Sequence, residues 1–483
     1  MSHPRGLRTL FFTEMWERFS YYGMRALLVL FMTAEIQRGG LGLTDKVATA
    51  IYGLYVAGVY LSALPGGWIA DRLLGAQRAL MVGGALIALG HFTLALPSLK
   101  AFYLGLTLVV LGTGLLKPNI SALVGQLYPE GGARRDAGFT IFYMGINLGA
   151  AIGPLVCGSL GERMNWHYGF GAAGIGMVLG LVQFRLTRHQ LGDIGLTPAH
   201  RGANSQRDWK VLGVVVLAVA ALITLALLEV IPIDPVRLAQ RTSGVIVGMA
   251  AAYFLWAFFF AGLGSVEKKR VGVILILFIA SALFWSGYEQ AGSSLNLFAE
   301  RYTQRAVPFL AEPMPASWFQ SLPAVFVILF APVVAGIWVW MAKHERNPSL
   351  GAKMGWGLIL LALGFLVVAL ASRRALASGP VWPTWLVATY LLHVFGELLI
   401  SPVGLSSVTK LAPPRLVGQM MGIWFLGTSL GNLMAGLFAG EVSGENAAAM
   451  PARFLQVVVF SGAVGLVLLL FTKPIRRLMP DID

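Results

Sequence analysis

Glu14-Met15-Trp16-Glu17-Arg18-Phe19-Ser20-Tyr21-Tyr22-Gly23-Met24-Arg25 lies inside the first long apolar run of the chain, over about residues 8–35. Read as a helix, it places Glu14, Glu17, Arg18, Tyr21, Tyr22 and Arg25 at i, i+3, i+4, i+7, i+8 and i+11, which is one face. At about 1.5 Å per residue the stripe covers roughly 16 Å of helix axis. A run of this length and apolarity spans a bilayer, so the stripe carries charge into the hydrocarbon. An ionised side chain there costs from about 3 to about 15 kcal/mol, depending on how it is measured. The face therefore lines a polar cavity or meets partner charges, and it does not face lipid. A static ion-pair network locking helices together is the plainer alternative. A buried pair is, however, a weak source of stability beside apolar packing.

Composition extends this reading to the whole chain. Its 483 residues are 57% hydrophobic and 12% charged, whereas soluble domains average about 25% charged. Fourteen apolar helices are predicted, near 8–35, 46–71, 78–97, 101–125, 137–160, 167–187, 210–231, 243–263, 271–299, 317–342, 354–371, 383–410, 416–440 and 455–472. The fold class is thus all-α integral membrane, with 14 transmembrane helices and no sizeable soluble domain. The first run is too long for a secretory h-region and lacks a small-residue cleavage site, so no cleaved leader is expected. An even count puts both termini on one side. With that side cytoplasmic, the inner loops hold about twice as many Lys and Arg as the outer ones. That bias gives N-in and C-in, and it accounts for the net charge of +14 without a nucleic-acid partner. The single cysteine, Cys157, excludes an internal disulfide framework and a Cys-based zinc site. No metal or cofactor is expected.

Segments 210–231 and 243–263 carry almost no ionisable residue. They follow a polar stretch from His189 to Asp208 and precede Glu267-Lys268-Lys269-Arg270. They read as a lipid-facing hairpin inserted between two six-helix bundles. The organisation is then a bundle over 1–190, a cytoplasmic linker and hairpin over 191–270, and a bundle over 271–483. Asn147-Leu148-Gly149 aligns with Ser429-Leu430-Gly431, Leu155 with Leu437 and Gly158 with Gly440. Glycine and leucine are common enough here for chance to be a rival, but a true repeat matches the two-half build of major facilitator transporters.

Three more helices carry buried charge: Lys117 in the fourth, Glu289 in the ninth and Glu397 in the twelfth. Lys117 precedes Pro118, which removes a backbone hydrogen bond and favours a kink. A buried ammonium needs a counter-ion, and Glu14 or Glu17 is the natural candidate. Arg25 is the corresponding partner for Glu289. Glu397 sits ahead of Pro402, where the helix can open; a neighbouring hydroxyl satisfying its carboxyl is the plainer reading. Carboxylates and cations along one cavity offer both a proton site and a ligand for a charged substrate. A zwitterion with separated ends suits Glu397 on one side and Arg25 with Lys117 on the other. In Gly67-Trp68-Ile69-Ala70-Asp71-Arg72, small residues permit close packing and Asp71 can cap or pair; an ordinary charged tight loop is the alternative. Tyr60, Asn147, Trp285 and Trp424 are polar-tipped groups within helices, each individually as consistent with packing as with ligand binding.

These residues carry a resemblance. Glu14 to Gly23 resembles the ExxERFxYYG motif of the proton-coupled oligopeptide transporters, a branch of the major facilitator superfamily. Phe142-Tyr143-Met144-Gly145-Ile146-Asn147-Leu148-Gly149 is similar to that family's fifth-helix signature. Gly396-Glu397 through Ser401-Pro402-Val403-Gly404-Leu405-Ser406 resembles its later-half signature, and Asp71-Arg72 its superfamily loop motif. The resemblance implies a proton-coupled symporter of di- and tripeptides, working by alternating access as a monomer in a bacterial plasma membrane, the inner one in a Gram-negative cell. It implies that Glu14, Glu17 and Arg18 couple protons through Lys117, and that Arg25 pairs with Glu289 in an outer gate, placing Glu289 in the coupling path too. Arg25 and Lys117 would receive the peptide carboxylate, while Glu397 and Asn147 would hold its amino end. Tyr21, Tyr22, Tyr60, Trp285 and Trp424 would line side-chain pockets, with Ser401 from the later-half signature and Thr428 where many relatives have serine.

Two departures bear on the proton path and on the substrate. Gly53 stands where animal members carry a proton-active histidine. Pro323 replaces an asparagine that some bacterial relatives use for the peptide's amino end, so recognition of that end is either looser or rests more on Glu397. A proton-coupled carrier of nitrate or an amino-acid derivative is therefore the nearest rival. A membrane-embedded enzyme is remote, because the chain lacks a zinc-ligand cluster and a plausible Ser/His pair. A non-transporting receptor leaves the coupling charges without a purpose.

Overall fold

The computed structural model describes residues 3–198, 205–308, 310–346, 348–442 and 444–479. Its helices are α1 (Arg5–Thr33), α2 (Asp45–Ile69), α3 (Ala76–Leu94), α4 (Leu99–Gln126), α5 (Gly132–Arg163), α6 (Trp166–Thr187), α7 (Ser205–Leu227) and α8 (Pro235–Phe259). They continue with α9 (Ser265–Tyr288), α10 (Ser294–Tyr302), α11 (Leu322–Lys343), α12 (Leu350–Ser378), α13 (Thr384–Leu411), α14 (Val417–Gly440), α15 (Met450–Leu470) and the short α16 (Thr472–Arg477). Among the described residues, the one extended pairing is an isolated bridge between Thr303 and Val381.

Twelve of these helical stretches are long and apolar enough to cross a membrane. The stretches α1 and α3 fall outside that set. The reason is legible in their sequences: α1 contains Glu14, Glu17, Arg18 and Arg25, and Gln77, Arg78 and His91 dilute α3.

The predicted ninth segment, 271–299, is not one helix. It stops at Tyr288, passes through a 3-10 turn over Glu289–Gly292 and resumes as α10. Side chains stabilise this break. Gln290 Nε2 donates to the Ser286 carbonyl at 3.1 Å, and Ser294 Oγ donates to Gln290 Oε1 at 2.9 Å. Gly292 lies against the Tyr52 hydroxyl, where a Cβ would collide. A 3-10 stretch within a helix is a common mark of strain or of a hinge. By contrast, the backbone of α13 stays helical through residue 402 to Leu411 and does not open at the proline.

The chain divides into two compact units, one of Met1–Gly42 with Gly58–Asp234 and the other of Leu43–Ala57 with Pro235–Asp483. In the first, α1 packs on α5 and α6, and α3 packs on α4 and α6. Leu10, Leu80, Ile120, Leu123, Met177 and Phe184 form the core beneath them, all fully buried. In the second, α12 packs on α15 and α13, and α14 packs on α9. The pair α7 and α8 is divided between the units. In the first unit α7 meets α4 and the turn after α2, and none of its most apolar window is buried. In the second, α8 sets Ala239, Ile246, Ala250, Phe254 and Ala257 into the protein, against α14 and α9.

One packing motif recurs in both units. A Cβ on Gly149 of α5 would strike the Met15 carbonyl and come within 2.8 Å of the Phe19 nitrogen on α1. A Cβ on Gly431 of α14 would come within 2.7 Å of the Ala282 carbonyl and 3.2 Å of the Ser286 nitrogen on α9. Each glycine thus admits the backbone of the partner helix at positions i and i+4. The aligned triplets, Asn147-Leu148-Gly149 and Ser429-Leu430-Gly431, do the same work in each half. Close approach of helices through small residues is the usual device of membrane packing. Gly149→Val is expected to cost about 1–3 kcal/mol through overpacking, lowering the temperature at which the detergent-solubilised protein aggregates. An unchanged melting profile would contradict the close approach.

Candidate functional site

The α1–α5 packing fixes which way the charged stripe points. Gly145, Gly149 and Gly153 of α5 lie against Phe11, Met15 and Phe19, and the stripe begins at the edge of that contact, where the Arg18 Cβ also meets Gly149; Glu14, Glu17, Arg18, Tyr21 and Arg25 are all buried. Arg18 Nε lies 2.8 Å from Glu14 Oε1 and 2.7 Å from Glu17 Oε2. Only the first contact has hydrogen-bond geometry. Glu17 Oε1 and Glu14 Oε2 are buried without a hydrogen-bond partner. In a low-dielectric interior such an arrangement is costly. Arg18 also stands over the Tyr21 ring, and Arg25 over the Tyr22 ring, each at 5.5 Å from the centroid.

Lys117 reaches this cluster from α4. Its ammonium is 4.1 Å from the Tyr60 ring centroid, and it acts electrostatically on Glu17. Pro118 and Asn119 set its place. The proline ring crowds the Gly114 carbonyl, which Gly66 of α2 meets closely enough to leave no room for a Cβ. Asn119 Nδ2 donates to the carbonyls of Leu115 at 2.6 Å and Gly66 at 3.4 Å. The close packing near the end of the second helix thus falls on Gly66, while Gly67 has open space beside it. Asp71 and Arg72 are exposed, and Arg72 pairs with Asp208 of α7 at 3.7 Å. Asn147 is buried and donates to the Tyr143 carbonyl of its own helix at 2.9 Å.

In the second unit Glu289 is buried at the start of the 3-10 turn, and it acts electrostatically on Glu397 of α13. Glu397 is half-buried and accepts a hydrogen bond from the Tyr288 hydroxyl. Trp285 meets the Tyr288 ring edge-on at 5.4 Å. Trp424 is buried against Gly404, and Thr428 Oγ1 donates to the Trp424 carbonyl at 3.4 Å. Ser401 is half-buried one turn after Glu397.

Two groups of functional interest escape a reading by spacing. The Tyr288–Glu397 bond joins residues 109 apart. Arg301 and Asp45 form a bidentate pair, Nη1 to Oδ2 at 2.7 Å and Nη2 to Oδ1 at 2.9 Å, across a separation of 256 residues. Beside it Lys46 pairs with Glu441 at 3.2 Å, and Arg453 with Glu441 at 3.4 Å. These bonds tie the start of α2 to α10 and to the loop between α14 and α15. Only the position of Asp45 at a helix start, and of Arg301 at a helix end, hints at them.

Comparison with known proteins gives a consistent result. A model of the POT family matches residues 77–450. The peptide transporter YePEPT of Yersinia enterocolitica is 44% identical over 490 aligned residues, covering 99% of this chain and 95% of the relative. A di-/tripeptide transporter of Lactococcus lactis is 38% identical over 491, covering 99% and 97%. The crystal structure of a peptide transporter POT in complex with sulfate superposes with a TM-score of 0.91 at 41% identity, over 99% of this chain and 96% of that one. A POT family transporter crystallised with 5-aminolevulinic acid gives 0.89 at 34% identity, over 98% and 97%. With its all-helical architecture, its charged first helix and a likeness that runs almost end to end, the chain belongs to the POT family of membrane transporters.

Proposed function

We propose that the protein is a proton-coupled symporter that imports di- and tripeptides by alternating access. The observation that carries this reading is the buried Glu14–Arg18–Glu17 cluster beside Lys117. It holds two acids and two bases, so it is neutral when all are ionised and gains a positive charge on binding one proton. Glu14, Glu17, Arg18, Lys117 and Glu289 serve the coupling, and Arg25 pairs with Glu289 to close the outer gate. Arg25 and Lys117 take the peptide carboxylate. Glu397 and Asn147 hold its amino end, while Tyr21, Tyr22, Tyr60, Trp285, Ser401, Trp424 and Thr428 line the side-chain pockets. Gly67, Asp71 and Arg72 act in the cytoplasmic turn.

In this proposal α1 and α3 also cross the membrane, giving fourteen spans with both termini cytoplasmic. The protein works as a monomer in a bacterial plasma membrane. The α7–α8 segment forms an insertion between the two six-helix bundles.

A competition panel in counterflow tests the substrate class. Unlabelled di- and tripeptides are expected to displace labelled dialanine, while free amino acids and nitrate leave it untouched. Failure of every di- and tripeptide to compete would sink the peptide reading. The second reading, a carrier of an amino-acid derivative, draws on the relative crystallised with 5-aminolevulinic acid. That molecule carries an ammonium and a carboxylate at opposite ends of a short chain, as a dipeptide does. Its competition without that of any peptide would select this reading.

A further inference from the structure

Tyr288 has no part in the roles assigned above, yet it is the side chain that holds Glu397. Its hydroxyl donates to Glu397 Oε2, and both residues are half-buried, so the pair borders accessible space. The Tyr288 ring is itself confined. Phe284 stacks on it at 5.6 Å and 25°, Trp285 meets its edge at 5.4 Å and 81°, and His393 lies at 6.4 Å and 44°. His393 is fully buried one turn before Glu397, with Phe365 at 4.9 Å from its ring. Aromatic rings confined from three directions give the Tyr288 hydroxyl one position. Glu397, with several rotatable bonds, is thereby fixed through Oε2, and Oε1 is left to accept in one direction. Among the described residues no cation forms an ion pair with Glu397, and Glu289 is a like charge beside it.

We propose that Tyr288 is a positioning residue for the substrate's amino end: by holding Glu397 Oε2 it aims Oε1 at the incoming ammonium. This rests on the reading of Glu397 as the seat of that ammonium in a peptide carrier. It assigns the α9–α13 contact a share in substrate choice, because the oriented oxygen rewards a free amino group and does nothing for a substrate without one.

The test uses the full chain in liposomes and measures competition against labelled dialanine. Tyr288→Phe removes the hydroxyl and keeps the ring. It is expected to raise the half-inhibitory concentration of dialanine about tenfold, the worth of one hydrogen bond to a charged group. N-propionyl-alanine, the same molecule without its amino group, is expected to be unaffected. Because the comparison is a ratio within one preparation, the amount of folded protein cancels. In a Glu397→Gln background the same Tyr288→Phe change is expected to have no further effect on dialanine. An equal loss for both ligands, no loss for either, or a full tenfold loss persisting in the Glu397→Gln background would each overturn the proposal. Failure of dialanine to compete in the unaltered protein would remove the peptide reading itself, and this inference with it.

Discussion

Glu17→Gln is expected to abolish accumulation of dipeptide driven by a proton gradient, while exchange of internal for external dipeptide continues. Glu17 is fully buried, and its Oε2 lies 2.7 Å from Arg18 Nε. Protonating it removes a charge that both Arg18 and Lys117 feel. At an effective dielectric of about 20, two unit charges about 4 Å apart interact by about 4 kcal/mol. A differential of that size moves a two-state equilibrium by nearly three powers of ten. Glutamine preserves the size and some hydrogen bonding of the side chain but fixes it in the neutral form. The bound carrier can then still change state, but the proton no longer decides when. Full gradient-driven uptake by Glu17→Gln would remove Glu17 from the coupling role.

Lys117→Ala is expected to lose driven uptake as completely, and for a complementary reason. It leaves Glu14 and Glu17 with Arg18 as the one cation of the cluster, an excess of negative charge in a setting where isolated charges are expensive. It also exposes the Tyr60 ring, now covered by the ammonium at 4.1 Å. Because Lys117 is also proposed to take the peptide carboxylate, exchange should weaken here, whereas Glu17→Gln spares it. That contrast separates a residue with one task from a residue with two. Accumulation at the unaltered level in Lys117→Ala would break the proposed link between Lys117 and the acids of α1.

The charged stripe on α1 was readable because a helix face has a period and a bilayer has no tolerance for charge without cause. The same logic picked out Lys117 on α4, Glu397 on α13 and Glu289, which the structure places in the 3-10 turn after α9. It even supplied the glycine register, since Asn147-Leu148-Gly149 and Ser429-Leu430-Gly431 make equivalent backbone contacts in the two units. Three things lay beyond it. The interruption at Glu289–Gly292 depends on Gln290 and Ser294 bonding to one another and on Tyr52 arriving from elsewhere in the chain. Apolar periodicity carries no trace of such contacts. The division of α7 from α8 between units turns on which helix has a partner to bury against, and α7, the more apolar of the two, is the one whose apolar window stays unburied. The Tyr288–Glu397 and Arg301–Asp45 bonds join residues so distant in the chain that no spacing rule connects them.

In the proposed mechanism protons drive peptide accumulation through the α1 cluster. Uptake of a labelled dipeptide by liposomes containing the purified protein tests it most directly, with and without an inward proton gradient. Accumulation above the external concentration is expected when the gradient is imposed, with collapse to simple equilibration when a protonophore dissipates it and loss of the gradient effect alone in Glu17→Gln. Equal uptake with and without the gradient would contradict it.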